Sequence, residues 1–109
     1  MHLTAPTITY INQLRSLQND LDILMADWPE VPSFYEARRC AETIAPLVAG
    51  QIDVLINASI CLNEAEPMKL RSALEELLCL MVGADEKRKF AEYVVMLDSL
   101  INDGSRVQI

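Results

Sequence analysis

Three cysteines and one histidine are the side chains in this sequence best suited to bind a metal or act as a nucleophile. Cys40, Cys61 and Cys79 are 21 and 18 residues apart. Zinc-binding cysteines usually occur in close pairs such as Cys-x-x-Cys, so this spacing does not indicate a zinc site. The only histidine is His2, next to the N-terminus, which leaves no histidine placed for general base catalysis. The sequence therefore predicts no metal site.

Carboxylates are the other candidates for chemistry. Glu75 and Glu76 are adjacent, so on a helix they point in different directions and cannot face one another as an acid–base pair. The Glu-x-x-His motif of di-iron bundles is absent. Three glycines, Gly50, Gly83 and Gly104, are too dispersed to form a phosphate-binding loop. We expect a protein that is not an enzyme and needs no cofactor.

Composition and charge narrow the class of protein further. The 109 residues fit a single domain, 1–109, and a hydrophobic share of 51% predicts a folded chain. A net charge of −7 argues against direct nucleic-acid binding. Cysteines that are odd in number, and an N-terminus without the basic and apolar regions of a signal peptide, predict a cytoplasmic protein.

The stretch Ile44–Leu62 is mostly apolar and carries one formal charge. Its polar or helix-weakening residues recur at intervals of four, three and four, which places them on one strip of a helix: Pro46, Gly50, Asp53 and Asn57. If only one strip of a helix is exposed to solvent, neighbouring helices must cover its other sides. The charge and amides in its middle argue against a membrane span, so we expect a central helix kinked at its proline.

Helical periodicity also predicts the surrounding elements. A heptad seam runs through Thr7–Trp28, and a Pro29–Pro32 break follows it. A Ser33–Glu36 capping box starts the next helix. A further helix begins at Pro67 and ends at a left-handed Gly83, and the last runs from Asp85 to Gly104. The fold class predicted is all-α, a single-domain bundle of four to five helices around the central, Pro-kinked apolar helix, with frayed tails at 1–6 and 105–109.

The heptad seam leaves the oligomeric state open. Its apolar residues, from Tyr10 to Trp28, could pair with a second copy of the chain in a homodimer. They could equally pack inside their own bundle, which we favour because about three heptads is near the lower limit for a coiled coil.

Residues typical of binding hot spots concentrate around the proline break. Trp28 and Phe34 are expected to pack together across the loop and hold two helices in place. Tyr35, Arg38 and Arg39 are expected to be exposed and available to a protein partner.

A second candidate surface is the cluster Lys87, Arg88 and Lys89. Three cations in the first turn of a helix oppose the helix dipole, which suggests a role in partner binding. The interpretation we favour is a solvated cluster, self-paired as Asp85–Lys89 and Arg88–Glu92.

The strip itself offers a third candidate, a polar groove formed by Gly50, Asp53 and Asn57. Asp53 could instead pair with Arg15 or Arg71, or simply face water, which is the expectation we favour.

The functional prediction is a non-catalytic, acidic helical protein that binds another protein as an inhibitor, adaptor or escort. Small accessory proteins of phages and mobile elements have this profile. Two alternatives are an acidic mimic of nucleic acid that occupies a DNA-binding groove, and a bundle that binds a small ligand. No membrane partner is predicted.

Overall fold

A computed structural model describes residues 5–58, 65–81 and 83–102. Four α-helices account for most of them: α1 (Ala5–Asp27), α2 (Tyr35–Asp53), α3 (Ala65–Leu80) and α4 (Ala84–Asn102). A 3₁₀ turn, Pro32–Phe34, leads into α2, and a π-helical turn, Val54–Ala58, follows it. These residues contain no strand, so the all-α prediction and the count of about four helices are confirmed.

The helices pack as a bundle in which neighbours run in opposite directions. α2 lies against both α1 and α3, and α3 lies against α4. Side-chain contacts link α4 back to α1, including a hydrogen bond between Tyr93 and Asp20. We call the end where α1 and α3 finish and α2 and α4 begin the upper end of the bundle.

The heptad seam of α1 lies in the core of its own chain. Its residues Tyr10, Leu14, Leu17, Leu21 and Leu24 are buried, with at most 6% of any one exposed. The apolar stripes predicted for the other helices meet this seam, among them Leu70, Leu74 and Leu77 of α3 and Phe90 and Leu97 of α4. A fully buried leucine contributes roughly 1.5–3 kcal/mol, so the seam is a main source of stability within one chain.

The central apolar stretch is helical throughout its described part, and α2 continues through Pro46 without a break. The predicted strip of Pro46, Gly50, Asp53 and Asn57 is exposed. Ile44, Val48, Gln51 and Leu55 form its buried face, whereas Ile56 is 37% exposed. Neighbouring helices therefore cover one face of this stretch, and solvent covers the opposite face. The predicted end at Leu62 lies outside the described residues.

A buried polar chain fixes α2 between its neighbours. The Tyr10 hydroxyl of α1 donates to Gln51 Oε1 of α2 at 2.5 Å, and Gln51 Nε2 donates to the Glu66 carbonyl of α3 at 3.0 Å. Tyr10 and Gln51 are 2% and 3% exposed. Burial, with a smaller effect of the Glu66 charge, raises the pKa of Tyr10, so its hydroxyl keeps its proton as the donor.

The predicted capping box at the start of α2 is wrong. Ser33 lies inside the 3₁₀ turn, and the residue that precedes α2 is Phe34, which makes no side-chain capping hydrogen bond. The turn starts early because Pro32 fixes its own φ near the helical value, and the Phe34 N–H then bonds to the Val31 carbonyl at 3.0 Å.

The connection between α3 and α4 also differs from the prediction. The φ of Gly83 lies outside the left-handed region, so Gly83 does not cap α3 in that conformation. Its carbonyl instead accepts from the Lys87 N–H at 3.0 Å, which makes Gly83 the N-cap residue directly before α4, with Asp85 already in the first turn. The connection is so short that its glycine caps the start of the next helix rather than the end of α3.

The other predicted helix ends shift by a few residues, as such boundaries often do. Pro67 is the third residue of α3 rather than its first, because the helix begins at Ala65. α1 begins at Ala5, inside the segment predicted as a tail. The predicted end at Gly104 and the tail 105–109 lie outside the described residues.

Gly50 provides a direct test of the helical continuity of α2. Apart from the neighbouring backbone of its own helix, a Cβ at this position would meet no atom within 4 Å. Gly50→Ala should therefore raise the free energy of unfolding by about 0.5–1 kcal/mol, through helix propensity and a less flexible unfolded chain. Urea denaturation measures this change. Gly83→Ala is the control without the gain, because Gly83 lies at the N-cap of α4, where glycine is more favourable than alanine. A Gly50→Ala variant less stable than the parent would show that α2 is interrupted here.

Candidate functional site

The candidate residues around the proline break fall into two groups. Tyr35 and Arg39 lie one turn apart on α2 and are exposed, Tyr35 by 52%. Arg38 is half-buried, and its Nη2 donates to the carbonyls of Met25 and Trp28, both at 3.2 Å. These carbonyls lie at the C-terminal end of α1, where the helix leaves them without partners. Arg38 therefore holds the end of α1 against α2, whereas Tyr35 and Arg39 face solvent.

The three residues of the basic cluster on α4 differ in their contacts. Lys87 and Arg88 are exposed, and Lys89 forms an ion pair with Asp20 of α1, with 3.7 Å between Nζ and Oδ1. Asp20 is a partner that helical i,i+4 spacing cannot predict, because it lies 69 residues away along the chain.

A concave surface between two helices, which we call the α2–α3 groove, has a volume of about 490 Å³ and is open to solvent. Its walls come from two antiparallel helices: Glu36, Arg39, Cys40 and Thr43 on α2, and Ala73, Glu76, Cys79 and Leu80 on α3. A shallower depression continues along α3 past Met68, Lys69 and Ser72 and shares Ala73 and Glu76 with the groove. The exposed candidate Arg39 thus lies on a concave surface.

Cys40 belongs to the floor of this groove. Its Sγ lies 3.6 Å from the Ala73 carbonyl and donates a weak hydrogen bond to it. Burial, and to a lesser extent the charge of Glu76, raises the pKa of the Cys40 thiol. A thiol with a raised pKa is a poor nucleophile, so Cys40 contributes packing to the groove rather than reactivity.

Two large apolar side chains mark the ends of the concave surface that the groove and the adjoining depression form together. Met68 is 48% exposed and Leu80 is 37% exposed, although both lie on α3. They are 12 residues apart, which corresponds to roughly 18 Å along a helix. Smaller side chains, Ser72 and Ala73, lie between them. Apolar contacts at both ends of a shallow channel with a small-residue floor suit a helical segment of similar length.

A second cavity, the end pocket, lies at the upper end of the bundle and measures about 230 Å³. The rings of Trp28 and Phe34 line it with their centroids 6.0 Å apart, which confirms that these two residues pack across the loop. The other lining residues are mainly apolar, together with two acids: Leu24, Asp27, Pro29, Ala37, Leu80, Met81, Gly83 and Glu86. Leu80 lines both the end pocket and the groove, so the two cavities adjoin.

A third cavity, the α1–α4 cleft, is lined by polar residues that hold two helices together. The Tyr93 hydroxyl donates to Asp20 Oδ2 at 2.5 Å, and Lys89 approaches the other carboxylate oxygen. Burial first, and then the hydrogen bond to Asp20, raises the pKa of Tyr93 to about 12. No local pattern in the sequence indicates this contact, because Tyr93 and Asp20 are 73 residues apart.

The strip of Gly50, Asp53 and Asn57 forms an open face. Asn57 Nδ2 donates to Asp53 Oδ1 at 2.6 Å, and both residues are exposed. Arg71, one of the two arginines considered as partners for Asp53, pairs instead with Glu75 at 3.1 Å and with Asp98 of α4. Asp53 thus faces water, which is the expectation that we favoured from the sequence. Its hydrogen-bond donor is the side-chain amide of Asn57.

Two further features are absent from the part of the chain that the structure describes. At residues 5–58, 65–81 and 83–102, no group of three His, Cys, Asp or Glu side chains could hold a metal ion. Over the same part of the chain, no helix combines the length and hydropathy that crossing a membrane requires. Cys61 and His2 lie outside the described residues.

Comparison of the chain with protein families, curated proteins and solved structures gave no match.

The contact between Tyr93 and Asp20 predicts a specific pH dependence of stability. Because the pKa of Tyr93 is raised to about 12 in the folded protein and is about 10 in an unfolded chain, the folded state holds this proton more tightly. Its contribution should be complete below pH 10 and should be lost as the pH rises towards 12.

Urea denaturation at pH 8, 10 and 11 measures this decline. Tyr93→Phe should show a smaller loss of unfolding free energy between pH 10 and 11 than the parent protein does. Tyr35→Phe is the matched control, because it removes an exposed phenol. Equal declines in the parent and Tyr93→Phe proteins would contradict the assigned contact.

Proposed function

We propose that this protein is a non-catalytic binding protein, and that it holds an α-helix of another protein in the α2–α3 groove. The observation that carries the proposal is the pair of exposed apolar side chains, Met68 and Leu80, at the two ends of one continuous concave surface. Binding a partner helix would remove both from water, at about 25 cal/mol for each Å² of apolar area buried.

The floor of the groove supports a helical occupant. Thr43, Ala73 and Ser72 are small, and the distance between packed helices depends on the size of the side chains at their contact. A partner helix could therefore approach α2 and α3 closely and contact Met68 and Leu80 with residues about three turns apart. Its apolar residues would recur at helical spacing, as in other helix-in-groove complexes.

The rim of the groove supports a partner with charged flanks. Each of the two helices contributes charges of both signs: Glu36 and Arg39 on α2, and Lys69 and Glu76 on α3. Charges at the rim of an interface fix its register and orientation more than its affinity. The net charge of −7 favours a basic partner by speeding the encounter between the two proteins.

The proposal also covers the arrangement of the helices and the location of the protein in the cell. We infer that α2 is the central helix of the bundle, supported by its contacts with both α1 and α3, and that Pro46 on its exposed side bends it towards the core. We also place the protein in the cytoplasm, which is supported by the unpaired thiols of Cys40 and Cys79. Whether the partner is inhibited, escorted or joined to a third protein depends on the partner.

A capture experiment with paired variants tests the groove. The protein is immobilised, and proteins retained from a lysate of its source are compared with those retained by Met68→Glu/Leu80→Glu. The matched control is Ile23→Glu/Val95→Glu, because Ile23 and Val95 are 49% and 63% exposed and lie on α1 and α4. We expect the groove variant to lose a retained protein at least tenfold, and the control to keep it.

Two results would contradict the proposal. One is equal loss in both variants, which would indicate nonspecific capture by exposed apolar residues. The other is a groove occupied by a second copy of this chain. In that case light scattering would show a dimer that Met68→Glu/Leu80→Glu converts to a monomer.

A further inference from the structure

We propose that the end pocket binds an arginine side chain of the partner protein. The proposal rests on the proposed function in one respect, that the partner is a protein whose helix lies in the adjoining groove. The pocket itself, however, can be tested with the isolated chain.

The walls of the end pocket match the two parts of an arginine side chain. Leu24 and Met81 are buried apolar side chains at its base, suited to the methylene stem of arginine. The ring systems of Trp28 and Phe34 stand 6.0 Å apart at an interplanar angle of 43°. The planar guanidinium stacks on aromatic faces, best on the indole of tryptophan, and it is more weakly hydrated than the ammonium of lysine.

Two carboxylates give the pocket the complementary charge. Asp27 and Glu86 line it, and within the described part of the chain neither forms an ion pair. Asp27 is the last residue of α1, where the negative end of the helix dipole repels its carboxylate. Glu86 lies over Gly83 on the other side of the pocket. A cation bound between these helix ends would compensate for the unfavourable position of Asp27.

The position of the pocket connects it to the groove. Leu80 lines both cavities, and the adjacent α2 residues Glu36 and Ala37 line the groove and the pocket, respectively. A helix lying in the groove would thus reach the pocket at the upper end of the bundle. An arginine at that end of the partner helix would enter the pocket, while the apolar residues of the helix occupy the groove.

The fluorescence of Trp28 reports on the pocket without interference, because Trp28 is the only tryptophan in the chain. The isolated protein is titrated with n-butylguanidinium chloride, which reproduces the end of an arginine side chain, at constant ionic strength. The neutral control is n-butylurea, which has a similar shape and no charge. We expect a saturable change in fluorescence at millimolar n-butylguanidinium, and at least threefold weaker binding of n-butylurea.

Variants assign the binding to the two carboxylates. Asp27→Asn and Glu86→Gln should each raise the dissociation constant for n-butylguanidinium threefold or more. Glu42→Gln, an exposed acid of α2 outside the described cavities, should leave it unchanged. Circular dichroism of each variant confirms that its helices are intact, and Met81→Ala provides a second, uncharged change in the pocket that should also weaken binding.

Three results would overturn the proposal: equal binding of n-butylurea and n-butylguanidinium, unchanged affinity in the double variant Asp27→Asn/Glu86→Gln, or equal weakening by Glu42→Gln. A different variant tests the proposed function, that a partner helix lies in the groove. Because Leu80 lines the pocket, the single variant Met68→Glu separates the two proposals: it should weaken partner capture and leave binding of the small probe intact.

Discussion

The buried hydrogen-bonded chain from Tyr10 through Gln51 to the Glu66 carbonyl is the constraint on which the rest of the bundle depends. It crosses three helices, and its side chains are almost fully buried. Apolar packing alone tolerates small shifts of one helix along another, whereas a buried polar group left without its partner costs about 1–3 kcal/mol. The chain therefore fixes the axial position of α2 against both neighbours, an effect that burial of leucines cannot supply.

The fixed position of α2 also shapes two cavities, the α2–α3 groove and the end pocket. With Gln51 opposite Glu66, antiparallel helices bring Cys40 beside Ala73 and carry Glu36 towards Leu80 at the upper end. The groove is thus a consequence of the register between α2 and α3. The end pocket forms where the same register meets the packing of Trp28 on Phe34 and the Arg38 bonds to the end of α1. The groove thus follows from helix register alone, whereas the end pocket also needs the loop residues Trp28 and Pro29.

Local sequence patterns were sufficient for the helices and much of the core, because the burial of residues such as Leu14 and Leu77 follows helical periodicity. Trp28 and Phe34 could also be paired from sequence, since only a short loop separates them. Caps were less predictable: Pro32 and Gly83 altered where helices begin. Contacts between distant residues, such as Tyr93 with Asp20, have no local signal. The groove could not be predicted either, because it requires the register of two helices.

A double-mutant cycle between Tyr10 and Gln51, measured by urea denaturation, tests most directly whether the buried chain fixes α2. Tyr10→Phe leaves the Gln51 oxygen unpaired, and Gln51→Leu leaves the Tyr10 hydroxyl unpaired. The double variant removes both groups, so it should lose less stability than the sum of the single variants, with a coupling energy of about 1 kcal/mol or more. A coupling energy within about 0.3 kcal/mol of zero would contradict the central role of this hydrogen bond.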